Sequence, residues 1–332
     1  MITSLLIFKE KLKMIYAKAG VVIKAVLNFA LAFLSTFVVS RAIGNGSMIS
    51  SPLICIAIAL VCAFMPINVT VVVVTVYIVA HLFGISLELA IIALAVLLII
   101  YLLYFRLAPK TGILLILTPL LFYLKIPYLV PVVAALTVGM TGIVPVVSGA
   151  FIYYLVDFAH RYTTAITTLD AENALQNITF IFNNILTNKE LIVVAASFSV
   201  VITIIYLIKR LSVDHSWIIA IIAGCVIDAL IQIIAFSVLS VQYNIVFMLI
   251  GHIIAIGIGM LLHLLLFSVD YSATEYVQFE DDDYYYYVKA VPKSSVTNRK
   301  VTVKKINSRQ DGKGFVHTES YDDDGEEELE EI

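Results

Sequence analysis

Asp228 and Gln232 stand four residues apart in an otherwise apolar run, and Gly224 precedes Asp228 by the same interval. On a helix that spacing puts all three on one face. Downstream, His252, Gly259 and His263 also share a face, because the eleven residues from His252 to His263 are about three helical turns. Antiparallel packing of the two segments brings Asp228 towards one of the histidines. A carboxylate and an imidazole held together away from water can relay protons or coordinate a cation. The same groups can equally form an interhelical hydrogen bond that sets packing, with the glycines permitting close approach.

No other constellation carries chemistry. Nothing resembles a two-metal site, the zinc motif HExxH or a Ser-His-Asp set, and no Walker A, GxSxG or Rossmann glycine pattern is present. Cys55, Cys62 and Cys225 lie in apolar segments without CxxC spacing and read as small buried hydrophobes. The chain is therefore not expected to be an enzyme, to hold a metal or to carry a cofactor. Any ATP hydrolysis coupled to it belongs to another chain.

The elements that must position these residues follow from hydropathy. Hydrophobic residues make up 61% of the chain and the mean hydropathy is +1.01. Only sixteen Asp, Glu, Lys or Arg residues fall between Val21 and Phe267, far fewer than a water-soluble surface of that size needs. Ten apolar segments run at roughly 21–42, 51–66, 68–83, 85–106, 111–124, 127–142, 143–159, 190–210, 216–239 and 243–268. A hydrocarbon core about 30 Å thick takes roughly 20 helical residues per crossing, and runs without alternation indicate helices, not a barrel. The expected fold is an all-α polytopic integral membrane protein with about ten transmembrane helices over residues 21–268.

Ahead of them, residues 1–20 place Leu5, Phe8, Leu12, Ile15 and Ala19 at helical spacing among lysines. This arm is either an interfacial amphipathic helix on an anionic leaflet or a basic flank that orients the first span. With the N-terminus inside, nine Lys or Arg residues fall at cytoplasmic ends and four at the opposite ends. That bias favours both termini in the cytoplasm.

The middle segments are short and interrupted by Pro119, Pro127, Pro131, Gly139, Gly142 and Pro145. Proline removes a helical donor and glycine loosens the backbone, so these positions mark broken helices that line a cavity, or kinked helices and re-entrant hairpins without a ligand. Residues 160–189 form an outer loop, with an amphipathic helix expected to begin near Asp170.

After Val269 the chain turns polar, with eight basic against sixteen acidic residues. Residues 269–310 are expected to carry two short strands or a β-hairpin, formed by Tyr284–Val291 and Lys300–Ile306 around a Pro/Ser/Asn turn. Residues 311–332 are acidic and expected to be disordered. Tyr284, Tyr285, Tyr286 and Tyr287 are the candidate partner-binding surface, because a lone hairpin is marginal in water.

The stretch Gln278-Phe279-Glu280-Asp281-Asp282-Asp283 with Tyr284–Tyr287 and Val288-Lys289-Ala290-Val291-Pro292-Lys293 resembles the tail of multipass membrane proteins of anaerobic Gram-positive bacteria, some provisionally labelled transporter permeases. The resemblance implies a bacterial plasma membrane and carries no site residues across. Besides the lipid bilayer, the expected partners are a cytoplasmic or membrane protein at the tail and a second copy of the chain; no nucleic acid is expected. Three classes remain: a permease-like transport subunit, a non-catalytic scaffold that recruits partners through its tail, and, least favoured because no catalytic set is visible, an intramembrane enzyme.

Overall fold

Ala19 divides the first helical run. The run, α1, extends from Ile2 to Ile43, and at Ala19 the backbone leaves helical geometry with φ −127 and ψ 25. The lysine-rich arm lies before that break and the apolar stretch after it. In this computed structural model the described residues are 2–43, 48–165, 174–211, 213–266, 275–280, 284–290, 303–304, 318–321 and 327–329.

Pro52 opens α2 (Pro52–Ala63), where its missing N–H is no loss because a first-turn donor has no partner inside the helix. α2 folds back along α1, and Asn28 Nδ2 donates to the Met65 carbonyl at 2.9 Å. α3 (Ile67–Phe83) and α4 (Leu87–Leu107) follow. Ser86 caps α4 by accepting from the Leu89 amide, and Glu88 in the first turn complements the helix dipole. The start of α3 is clamped to the end of α4: Asn68 donates to the Pro109 carbonyl at 2.8 Å and accepts from Tyr104 Oη at 3.1 Å.

Next come α5 (Gly112–Tyr123), α6 (Leu129–Thr137) and α7 (Ile143–Ala165). Pro119 sits inside α5 and frees the Leu115 carbonyl four residues back. Gly149 of α7 passes directly over that carbonyl, where a Cβ would lie 2.9 Å from the oxygen. The turn joining α5 to α6 reverses through Lys125, whose φ is 63, and α6 ends at Gly139, whose φ is 82. At about 1.5 Å per residue, the twelve residues of α5 and nine of α6 span only about 18 and 14 Å.

α8 (Ala174–Leu186) lies against α4 and α7, burying Ile181 and Ile185. It begins after Asp170, which is outside the described residues. Asn188 caps α9 (Lys189–Ile208), and α10 (Ser216–Val238) and α11 (Ile245–Leu266) complete the bundle.

Each of the ten apolar segments in the sequence corresponds to one of these helices other than α8. Six helical stretches are long and apolar enough to cross a membrane, while α2, α3 and α5 are shorter. Proline and glycine end the middle helices early, so about ten full spans is more than these lengths carry. The bundle is inverted relative to a soluble protein. Leu53, Val238 and Ile253 are 76%, 76% and 67% exposed, while Thr36, Ser197, Asp228 and Gln232 are buried. Apolar side chains outside and polar ones within mark a multi-pass membrane protein.

In the tail, β1 (Glu275–Glu280) pairs antiparallel with β2 (Tyr285–Ala290), with Phe279 opposite Tyr286. The expected pairing of the tyrosine strand with residues 300–306 is thus replaced by pairing with the upstream segment, which a shorter connection brings back in register. Val303–Lys304 (β3) pairs instead with Thr318–Tyr321 (β4), and β4 pairs with Glu327–Leu329 (β5). Two short strands therefore fall within residues 311–332, where composition alone predicts disorder.

Candidate functional site

Three glycines bring the helices around Asp228 into contact. A Cβ at Gly224 of α10 would lie 2.4 Å from Ile205 of α9, and one at Gly259 of α11 would meet Val132 of α6 at 2.9 Å. At Gly251 of α11 it would meet the Tyr128 ring at 2.5 Å. Each distance is shorter than real carbon contacts allow, so only glycine admits these neighbours.

Within that frame Asp228 Oδ2 lies 3.1 Å from His252 Nε2, and both residues are buried. Gln232 Nε2 donates to Asp228 Oδ1 at 3.0 Å and to Ser197 Oγ of α9 at 3.2 Å. His252 Nδ1 lies 2.8 Å from the Met248 carbonyl, which can only accept, so Nδ1 carries a proton. The Tyr128 ring stacks on the imidazole with centroids 4.1 Å apart.

Proton bookkeeping follows. With Nδ1 protonated, the Asp228–His252 contact is satisfied by one proton between Oδ2 and Nε2. It rests on the carboxyl with a neutral ring, or on the ring with a carboxylate. Both forms are neutral overall, which suits a buried position. Removing the proton sets a carboxylate against an imidazole lone pair and leaves a net negative charge that nothing in the network offsets. Among the described residues no third His, Cys or carboxylate joins the pair, so its donors suit a proton better than a metal.

A cavity of about 360 Å³ lies against this network. Gln232, Tyr128 and Met248 line it, so each group that fixes the pair also faces the cavity. Gln232 separates Asp228 from the cavity by one side chain. The cavity lies towards the bundle end where α9 and α11 begin, and its rim includes Lys125, Glu190 and Asn244. Lys209 lies at the opposite end. There it donates to the Ala135 carbonyl and to the Leu136 carbonyl at 3.3 Å, and its ammonium lies 5.4 Å from the Trp217 ring centre.

Of the candidate residues, Asp228, Gln232 and His252 come together and His263 does not. It lies eleven residues, roughly 16 Å, further along α11, beside Trp217. A shared helix face aligns the two histidines without bringing them level. The break positions divide in the same way. Pro127 lines the cavity, Pro119 interrupts α5, Pro131 lies in the first turn of α6 and Pro145 in that of α7. Gly139 packs on Tyr206, and Gly142 on Ala134, on the Lys209 side. Tyr284–Tyr287 lie in and beside β2, exposed, with Tyr286 stacked on Phe279.

Sequence reasoning missed Tyr128, Ser197, Lys125 and Glu190. Tyr128 adjoins the flagged Pro127, which was the available signal; Ser197 had none. His81 was also not singled out: it is buried against Tyr77, and neither ring nitrogen has a hydrogen-bond partner among the described residues. Comparison with protein-family models, curated proteins and solved structures found no match to this chain, so the site is read from its own geometry.

Proposed function

We propose that this chain is a transport subunit of a bacterial plasma membrane that couples solute movement to a proton held by Asp228 and His252. The observation that carries the reading is a buried carboxyl–imidazole pair 3.1 Å apart, one side chain away from a cavity of about 360 Å³. Ionisable groups inside a membrane protein are expensive and are retained where protons or ions pass. The cavity lies on one side of the pair and the Lys209 cluster on the other, an asymmetry that suits alternating access.

In this reading α2–α3 and α5–α6 form re-entrant hairpins, since α2, α5 and α6 fall well short of about 30 Å, and the six long apolar helical stretches cross. Both termini are then cytoplasmic, and the cavity opens outwards. The tail's resemblance to permease-labelled bacterial proteins supports the same compartment. The experiment is proton-driven uptake in proteoliposomes: Asp228→Asn abolishes coupled flux while the variant still purifies and elutes as wild type.

A scaffold role is the second reading, favoured by the tail hairpin. Val277, Phe279, Tyr286 and Val288 share one face by their pairing and are all exposed, which suits a protein partner. Loss of function on deleting residues 271–332, with Asp228→Asn silent, would favour it.

A further inference from the structure

Resting on the transport reading, we propose that the cavity above Gln232 binds a small zwitterion, a solute carrying both an ammonium and a carboxylate. Its wall contains one cation and one anion, Lys125 at the tip of the α5–α6 turn and Glu190 in the first turn of α9. Neither side chain has a hydrogen bond or ion pair among the described residues. The other charges acting on Glu190 are Arg161 and Asp157, which are paired with each other on α7.

The remaining wall is mostly aromatic and amide, with Pro127, Val194, Val241 and Met248 between them. Tyr153 and Tyr154 line the cavity, and neither hydroxyl has a hydrogen bond among the described residues. At roughly 30 Å³ per water, about 360 Å³ holds about a dozen waters, enough for a free amino acid with an aromatic side chain. A solute with one charge would leave either Lys125, exposed at the rim, or Glu190, half-buried, without a counter-charge from the ligand. A neutral polyol would leave both unmatched. A zwitterion matches both and brings no net charge towards the neutral Asp228–His252 pair.

The test is equilibrium binding to the full-length protein in lipid nanodiscs. The probes are free glycine, leucine and phenylalanine, their methyl esters, their N-acetyl derivatives, glucose and sorbitol. At least one free amino acid is expected to bind, with its ester and its N-acetyl form each weaker by about tenfold or more. Lys125→Met then binds the ester as well as its own weakened parent, and Glu190→Gln does the same for the N-acetyl form. Lys125→Arg and Glu190→Asp, which keep the charges, restore discrimination and guard against misfolding. Binding of glucose or sorbitol in preference, equal binding of ester and parent, or no probe bound up to about 10 mM overturns the proposal. Zwitterion binding without proton-coupled flux would overturn the transport reading alone. Proton-coupled flux of a polyol would overturn the substrate class alone.

Discussion

The ring of Tyr128 stacks on His252 at 4.1 Å because residue 251 has no side chain: a Cβ at Gly251 would come within 2.5 Å of that ring. One glycine therefore joins the tip of the α5–α6 turn to the proton-holding histidine. Gly251→Ala should push Tyr128 aside, at about 1–3 kcal/mol for overpacking a close contact. The expected outcome is a lower melting temperature in detergent and impaired coupled flux. Tyr128→Phe keeps the stack and should retain both. Wild-type behaviour of Gly251→Ala would show that the stack does not matter.

Asp228→Asn isolates proton exchange from packing. An Asn amide can donate to a neutral His252 Nε2, and its oxygen can still accept from Gln232, so it reproduces the protonated-carboxyl form of the pair. Folding should change by about 1 kcal/mol or less, while the dependence of flux on a pH gradient disappears. His252→Ala differs, because it strands a buried carboxyl group and should cost about 3–5 kcal/mol unless Asp228 takes up a proton. Thermal melts and gradient-driven uptake on the same two preparations separate these outcomes. Equal melts for the two variants would contradict the shared-proton arrangement.

The helices and the pair differ in how far sequence exposes them. Long apolar runs can only be helices in lipid, so segment positions are legible without tertiary information. The proximity of Asp228 and His252 is legible for a related reason: polar residues are so scarce in α10 and α11 that antiparallel packing leaves few combinations. The number of crossings is not. It depends on where Pro119, Lys125 and Gly139 stop α5 and α6, and residue types mark the breaks without giving helix length. Tyr128 joins the site through a turn, and Ser197 through the rotation of α9, neither of which has a periodic signature. In the tail, alternation marks strands but cannot choose partners, so Tyr285–Ala290 pairs with Glu275–Glu280 and not with residues further on.

The β1–β2 face offers a clean separation of the two functional readings. Phe279→Ser with Val288→Thr removes exposed apolar surface from one face while leaving the backbone pairing available. If the tail only docks a partner, the double variant should lower co-purification of that partner and leave proteoliposome flux at the wild-type value. Reduced flux in the purified, partner-free system would instead couple the tail to the transport cycle.

Lys209 holds the end of the bundle opposite the cavity. Its ammonium bonds the Ala135 and Leu136 carbonyls, which α6 leaves without helical donors near its C-terminus, and it lies over the Tyr206 and Trp217 rings at 5.6 and 5.4 Å. Lys209→Met keeps the stem and removes every donor, which leaves those carbonyls unpaired beside α9. Losing one charged hydrogen-bonding group in this way costs about 1–3 kcal/mol. The loss falls at the end of the bundle away from the cavity, so it should loosen that end before it unfolds the bundle. A reporter cysteine placed by Met140→Cys tests this, since that residue is 49% exposed in the turn after Gly139. Maleimide labelling from the Lys209 side should accelerate in the Lys209→Met background, and Lys209→Arg should return it towards the parent rate. An unchanged rate, with unchanged melting, would mean that α6 is held by its apolar contacts with α9 and α11 alone.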